Sequence, residues 1–250
     1  MNSFTHSTTL GYMSEEMSGQ KLHFVLVHGA GHGAWCWYKL RCLMETSGYK
    51  VTCLDLKGAG IDQTDPGTID SFDEYNQPLI DFFLRDLPEN EKVILVGHSA
   101  GGLSVTDCIH RFGTKKILMA FYVAANMLKN GFATDQDFKD GMPDLPEPGK
   151  IPFSMIPPED SILKSMLLRP QPKGIKGAKF TDGPDADNVP RVCIRALYDP
   201  YLKPDKQQAA MIRRWPPSQV FDIESDHSPF FSNPFVLFGF IVKAVASIKL

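Results

Sequence analysis

Near-continuous apolar runs alternate along this chain with segments of helical spacing. Leu22–His28 (LHFVLVH), Val51–Leu56 (VTCLDL), Lys92–His98 (KVILVGH), Lys116–Ala124 (KILMAFYVA), Arg191–Leu197 (RVCIRAL) and Ser218–Glu224 (SQVFDIE) read as strands. Between them, Ala34–Ser47 spaces Trp35, Leu40 and Leu43 almost helically, and Phe72–Leu87 puts Tyr75, Leu79, Phe82 and Phe83 on one helical face. Leu103–Phe112, Asp205–Trp215 and a last segment from Asn233 complete the helical pattern. Strands that are apolar on both faces, joined by helices, predict a mostly parallel sheet covered on both sides, hence an α/β fold.

The pattern breaks in the middle. Residues 127–189 are rich in Pro and Gly, and one helical pattern survives there, Glu159–Leu168 (EDSILKSMLL). Such a stretch cannot continue a sheet. It is expected to be a cap or lid inserted into a core made of residues 21–126 and 190–250. Residues 1–20 are polar and lack an apolar run, so a disordered tail is expected there, and neither a signal nor a transit peptide. The apolar run Phe235–Val242 is far shorter than the roughly 20 residues a membrane helix needs, and it reads as a buried terminal helix.

Composition narrows the function classes. With 250 residues, 43% hydrophobic and 22% charged, the chain can bury a sizeable core. A formal net charge of −3 gives no electrostatic footprint for nucleic acid or an anionic membrane. The 5 cysteines are odd in number and lack CxxC spacing, which favours free thiols in a reducing compartment; a cytoplasmic location is expected. No ligand cluster suggests a metal, and no cofactor is expected.

The chemistry concentrates where the third strand runs out. Gly97-His98-Ser99-Ala100-Gly101 matches G-x-S-x-G between a strand and a helix. Glycines there permit a tight turn with the serine hydroxyl at its apex, and the amides that follow can bind a developing oxyanion. A serine hydroxyl needs a base, and the base needs an orienting acid, which in this fold type follow in the order Ser, Asp/Glu, His. Of the 7 histidines, His227 alone follows a late strand, in Glu224-Ser225-Asp226-His227-Ser228. Asp199 ends the preceding strand and is the expected acid. Asp226 is the rival, but adjacent side chains in an extended loop point apart. The oxyanion donors are expected to be the amides of Ala100 and of Ala30, the latter in the turn His28-Gly29-Ala30-Gly31-His32-Gly33. Read instead as a dinucleotide loop with Asp55 as its ribose acid, that turn lacks the last glycine of G-x-G-x-x-G and leaves Ser99, Asp199 and His227 without a role.

These residues carry a resemblance. His28-Gly29-Ala30, Gly33-Ala34-Trp35, Asp55-Leu56, Gly97 to Gly102, Asp199 and Asp226-His227 resemble the plant methylesterases of the α/β-hydrolase superfamily, relatives of the α-hydroxynitrile lyases. Ser71-Phe72-Asp73-Glu74-Tyr75-Asn76-Gln77-Pro78-Leu79 and Arg213-Arg214-Trp215-Pro216-Pro217-Ser218-Gln219 resemble the subgroup associated with methyl indole-3-acetate. The likeness covers residues 22–135 and 190–250 well and the middle poorly, where the cap is shorter. It implies an α/β-hydrolase fold and a serine-dependent carboxylesterase that hydrolyses methyl esters of small hydrophobic plant metabolites or hormones. The lyases carry a threonine where this chain has Gly29 and a lysine where it has Ser228, which argues against cyanogenesis.

Three alternatives stay open: an esterase for bulky alkaloid-type methyl esters, with decarboxylation to follow; a non-hydrolytic lyase or cyclase; and a ligand sensor on the same fold. The expected partner is a small-molecule ester, with neither nucleic acid nor membrane, and a homodimer is admitted. The pocket is expected to use Gly29 and His32 with Phe121, Tyr122, Met127, Phe153 and Met155.

Overall fold

The computed structural model describes residues 21–145, 147, 150 and 152–247. The tail expected over residues 1–20 lies outside them. Six strands form one wholly parallel sheet: β1 (His23–Val27), β2 (Lys50–Leu54), β3 (Val93–His98), β4 (Ile117–Val123), β5 (Arg191–Ala196) and β6 (Gln219–Ile223). Their order is β2-β1-β3-β4-β5-β6, so the winding reverses between β1 and β3.

Both faces of the sheet are buried, which is why the strands read as continuous rather than alternating runs. Val25 and Val27 of β1, with Leu95 of β3 and Tyr122 of β4, face one core together with Tyr75, Leu79, Leu103 and Ile109. Phe24, Leu26, Ile94, Val96 and Phe121 face the other, with Trp37, Leu40, Phe230 and Ile241. The helices of the first layer are α2 (Phe72–Asp81) and α3 (Gly101–Lys116). Ser71 caps α2 by accepting from the Glu74 amide at 3.1 Å, the side-chain cap that an orphan first-turn N–H requires.

Several segments expected as single helices are composite. Ala34–Trp37 is a 3₁₀ turn that leads into α1 (Tyr38–Thr46). Beyond Asp81, α2 widens into a π-turn (Phe82–Asp86) four residues after Pro78, which has no N–H to give. Gly113 breaks the helical path of α3 with φ 50.

Among the described residues of 127–189 no strand joins the sheet. This stretch holds α4 (Asp135–Gly141) and α5 (Pro158–Leu167), joined by irregular backbone and 3₁₀ turns. The α4 helix was not anticipated. Its signal was a capping box, in which Thr134 Oγ1 accepts from the Asp137 amide while Asp137 accepts from the Thr134 amide. The chain returns to the sheet at β5, then α6 (Ala209–Arg214), β6 and α7 (Pro234–Val245) follow. No described helix is long and apolar enough to cross a membrane.

Candidate active site

The reversal of winding decides where chemistry can occur, because loops leaving β1 and β3 part there and open a crevice beyond the carboxyl ends of the strands. The register pairs Val27 of β1 with Gly97 of β3, so the 28–33 turn and the Ser99 turn lie side by side. Ser99 sits in the left-handed region at φ 51. For a residue with a Cβ this costs about 1–2 kcal/mol. The turn closes this tightly because two neighbours lack side chains. A Cβ at Gly97 would stand 2.7 Å from Val105 Cγ2, and one at Gly101 would stand 2.6 Å from the Val27 and His28 carbonyls.

His227 Nε2 accepts from the Ser99 hydroxyl at 3.0 Å. Its Nδ1–H donates to Asp199 Oδ2 at 2.7 Å. The other carboxylate oxygen, Oδ1, accepts from the Tyr201 and Leu202 amides at 2.8 and 3.0 Å, so the buried Asp199 carboxylate is fully engaged. The backbone of His227 is tied down as well. Nε2–H of His98, the variable residue of the serine motif, donates to the His227 carbonyl at 2.7 Å. His98 is wholly buried, and burial holds its imidazole well below its usual pKa, so it stays a neutral donor.

Asp226 has a different role from Asp199. Its Oδ2 accepts from the Met155 amide at 2.7 Å and from Ser154 Oγ at 3.1 Å, and its Oδ1 from the Ser228 amide and Ser232 Oγ, each at 3.1 Å. It fastens the segment before α5 to the histidine loop. The far side of α5 is fastened by the Arg169 amide on the Gly31 carbonyl at 2.9 Å and by the Arg169 guanidinium on the Asp62 and Thr64 carbonyls. Buried Asp160 holds Tyr38 and Lys39 beneath the helix.

A cleft of about 440 Å³, counted out to its open mouth, contains Ser99, Ala30 and Ala100. Neither the Ala30 nor the Ala100 amide donates to another group among the described residues, as two oxyanion donors would require. Asp55, the acid of the dinucleotide reading, accepts from the Ala34 amide at 2.6 Å and the Ile61 amide at 3.3 Å, which ties the loop to itself.

Most of the expected pocket residues lie elsewhere. Phe121 points into the core on the opposite face of the sheet. Tyr122 is buried under α3 with its hydroxyl 2.9 Å from Thr106 Oγ1. Both belong inside β4, where two buried faces leave no side chain free for a ligand. Met127 gives its amide to Met211 Sδ and lines a separate cleft beside Trp215 and Arg214. Phe153 is 59% exposed and packs edge-on against Tyr198. Met155 points outward and contributes its amide to Asp226. His32 supports the site without lining it: Nδ1–H donates to the Ala30 carbonyl at 3.1 Å, the ring stacks on Trp35, and burial pushes its pKa down to about 3. Gly29 abuts the serine, and a Cβ there would stand 2.8 Å from His98 Nδ1 and 2.9 Å from Ser99 Cβ. A threonine at this position therefore has no room in this backbone. Ser228 is buried, so no ammonium follows the histidine.

The walls that do face the cleft are Leu103, Asn126, Phe132, Met142, Ile175 and Leu202, with Gln171 and Lys176 among its remaining members. Two carried a readable signal. Leu103 is one helical turn beyond Ser99, and Asn126 follows the carboxyl end of β4. The others come from irregular backbone.

The chain matches the model of the alpha/beta hydrolase family over residues 24–238. It is 50% identical to Methylesterase 17 of Arabidopsis thaliana over 257 aligned residues, covering 90% of this chain and 92% of that protein. It is 42% identical to a pheophorbidase of Raphanus sativus, covering 92% and 96%. The crystal structure of the methylesterase MES16 from Arabidopsis superposes with a TM-score of 0.78 at 43% identity, covering 90% of this chain and 99% of that one. Fold, site geometry and these likenesses agree: the chain belongs to the plant methylesterase family of the α/β hydrolases.

Proposed function

We propose that the protein is a serine carboxylesterase that converts methyl esters of small, largely apolar metabolites into the free acid and methanol. The observation that carries this reading is the chain of hydrogen bonds from Asp199 through His227 to Ser99 at the floor of an open cleft. Ser99 Oγ attacks the ester carbonyl carbon while His227 Nε2 takes its proton. The resulting oxyanion lies against the Ala30 and Ala100 amides. As the tetrahedral adduct collapses, the His227 proton passes to the methoxy oxygen and methanol leaves. Water then attacks the acyl-Ser99 ester, His227 takes a proton from it and returns one to Ser99 Oγ, and the acid departs. Asp199 keeps Nδ1 protonated, so that Nε2 is always the base.

The relatives' names place methyl ester hydrolysis at the centre of the family, and this chain is an enzyme of that class. The alignment to Methylesterase 17 spans 257 positions but uses 90% of 250 residues, or about 225, so roughly 32 positions have no counterpart here. We assign that deficit to the cap, which fits the exposure of Ile162 and Met166 on α5 at 61% and 74%. A thinner roof makes the acyl side of the cleft more accessible to water and to larger groups.

The test is mass spectrometry of the protein incubated with methyl esters of aromatic, fatty and alkaloid acids, beside the Ser99→Ala variant. Acid and methanol in equal amounts, lost in the variant, are the expected result. Undiminished acid formation by Ser99→Ala would remove the serine mechanism.

A further inference from the structure

The lining of the Ser99 cleft is chemically mixed. Its apolar members include Leu103, Phe132, Ile175 and Leu202. Asn126, though polar, is buried and gives its amide to the Gly141 carbonyl at 2.6 Å. Gln171 and Lys176 are exposed and also line the cleft, and among the described residues neither has a hydrogen-bond or ion-pair partner. Other lysines nearby do. Lys203, next to the lining residue Leu202, binds Asp144 Oδ2 at 2.8 Å, and Lys206 binds Asp144 Oδ1 at 3.0 Å. Asp144 itself follows the lining residue Pro143. Lys176, by contrast, lines the cleft without an acid partner among the described residues.

A purely apolar ester has no use for that ammonium. An acyl group with an apolar middle and an anionic far end matches both kinds of lining. We propose that the favoured substrates are methyl esters carrying a second, distal carboxylate, which Lys176 recognises with Gln171 as a neutral donor beside it. This rests on the esterase reading and names its substrate class. The ammonium meets the carboxylate before and during the reaction alike, so the pairing lowers KM and leaves kcat nearly unchanged. Because Lys176 is exposed to solvent, the preference is modest, about five- to tenfold, and shrinks as salt screens the pair.

The experiment compares kcat and KM for the monomethyl esters of adipic, suberic and sebacic acids with the matching methyl esters whose far end is a carboxamide, an uncharged group of the same shape. The expected result is a carboxylate preference of about five- to tenfold, expressed in KM, strongest at one chain length and weakened by added salt. The ratio should fall to about one in Lys176→Met and invert in Lys176→Glu. Equal use of both series by the unaltered protein, or a preference that survives Lys176→Glu, overturns the proposal while the esterase stands. Failure to hydrolyse either series or any neutral methyl ester overturns the esterase reading itself. A circular-dichroism melt of each variant separates a folding defect from a change in recognition.

Discussion

The edge of the sheet and the cap meet over the same cleft, but they are held in place differently. At the sheet edge each functional group is fixed more than once. His227 is held through its ring by Asp199 and through its backbone by His98, and Asp199 itself takes two further amides. The α5 segment of the cap is a strap, fastened by Asp226 on one side and Arg169 on the other and held beneath by Asp160. Between them α5 buries just Asp160 fully, with Ile162 and Met166 facing solvent. Reaction geometry tolerates little displacement, since about 1 Å can cost a hundredfold in rate. Substrate choice needs only a wall of suitable shape and charge. The two regions divide these demands, and perturbations of each should read out differently.

The largest effect is expected at the sheet edge. Ser99→Ala should lower turnover by about 10⁴–10⁶ and Asp199→Asn by about 10⁴, with substrate binding retained. Ser99→Gly should also be inactive yet gain about 1 kcal/mol of stability, because glycine accepts φ 51 without strain. Parallel kinetics and thermal melts check this, and a Ser99→Gly variant less stable than the parent would break the strain argument.

A smaller effect tests how tightly that edge is packed. Gly29→Ala puts a methyl within 2.9 Å of both His98 Nδ1 and Ser99 Cβ. Stability should fall by about 1–3 kcal/mol, and kcat by about a hundredfold as the serine is displaced. Normal activity would show that the turn can yield.

The cap should respond in the opposite sense. Asp226→Asn turns one of the two oxygens that serve four donors into an NH₂, which leaves two donors without their acceptor at a cost of about 1–3 kcal/mol. Limited proteolysis should then cut near residues 152–157 sooner, while kcat changes far less than in Asp199→Asn. If Asp226→Asn matched Asp199→Asn in kcat, the division between the regions would collapse.

The last effect concerns pH and is read in stability alone. His32 has its pKa pushed down to about 3 by burial, whereas the unfolded chain takes up that proton near 6.5. The unfolded state therefore binds more protons between those values. This contribution to stability is whole above pH 6.5 and is lost as pH falls toward 3, by up to about 1.4 kcal/mol per pH unit. Melting temperatures across this range should fall less steeply for His32→Phe than for the parent chain.

Residues 97–101 were legible in the sequence because their signal is local: a strand, a glycine, a serine, a glycine and a helix are adjacent in the chain. The parallel sheet was legible for a similar reason, since burial on both faces writes a near-continuous apolar run into the central strands β1, β3, β4 and β5. Asp199 and His227 could be nominated by chain order because each ends a recognisable strand. The cleft was not legible in this way. Phe121 and Tyr122 looked like pocket residues because a run of bulky side chains does not say which core each one faces. Met155 looked apolar and inward, but its backbone amide is what the fold uses.

The sequence by itself thus determined the layered α/β architecture, the strained serine turn and the identity of the groups able to move a proton there. Those properties follow from residues near one another in the chain. Only the tertiary structure decided that Asp226 anchors the cap while Asp199 orients the histidine, that His98 holds the histidine loop, and that Leu202, Ile175 and Lys176 line the serine's cleft. Leu202, Ile175 and Lys176 are more than 70 residues from Ser99 in the chain, carried by irregular backbone with no period to read. Their arrangement depends on hydrogen bonds closed across the fold, which no local pattern encodes.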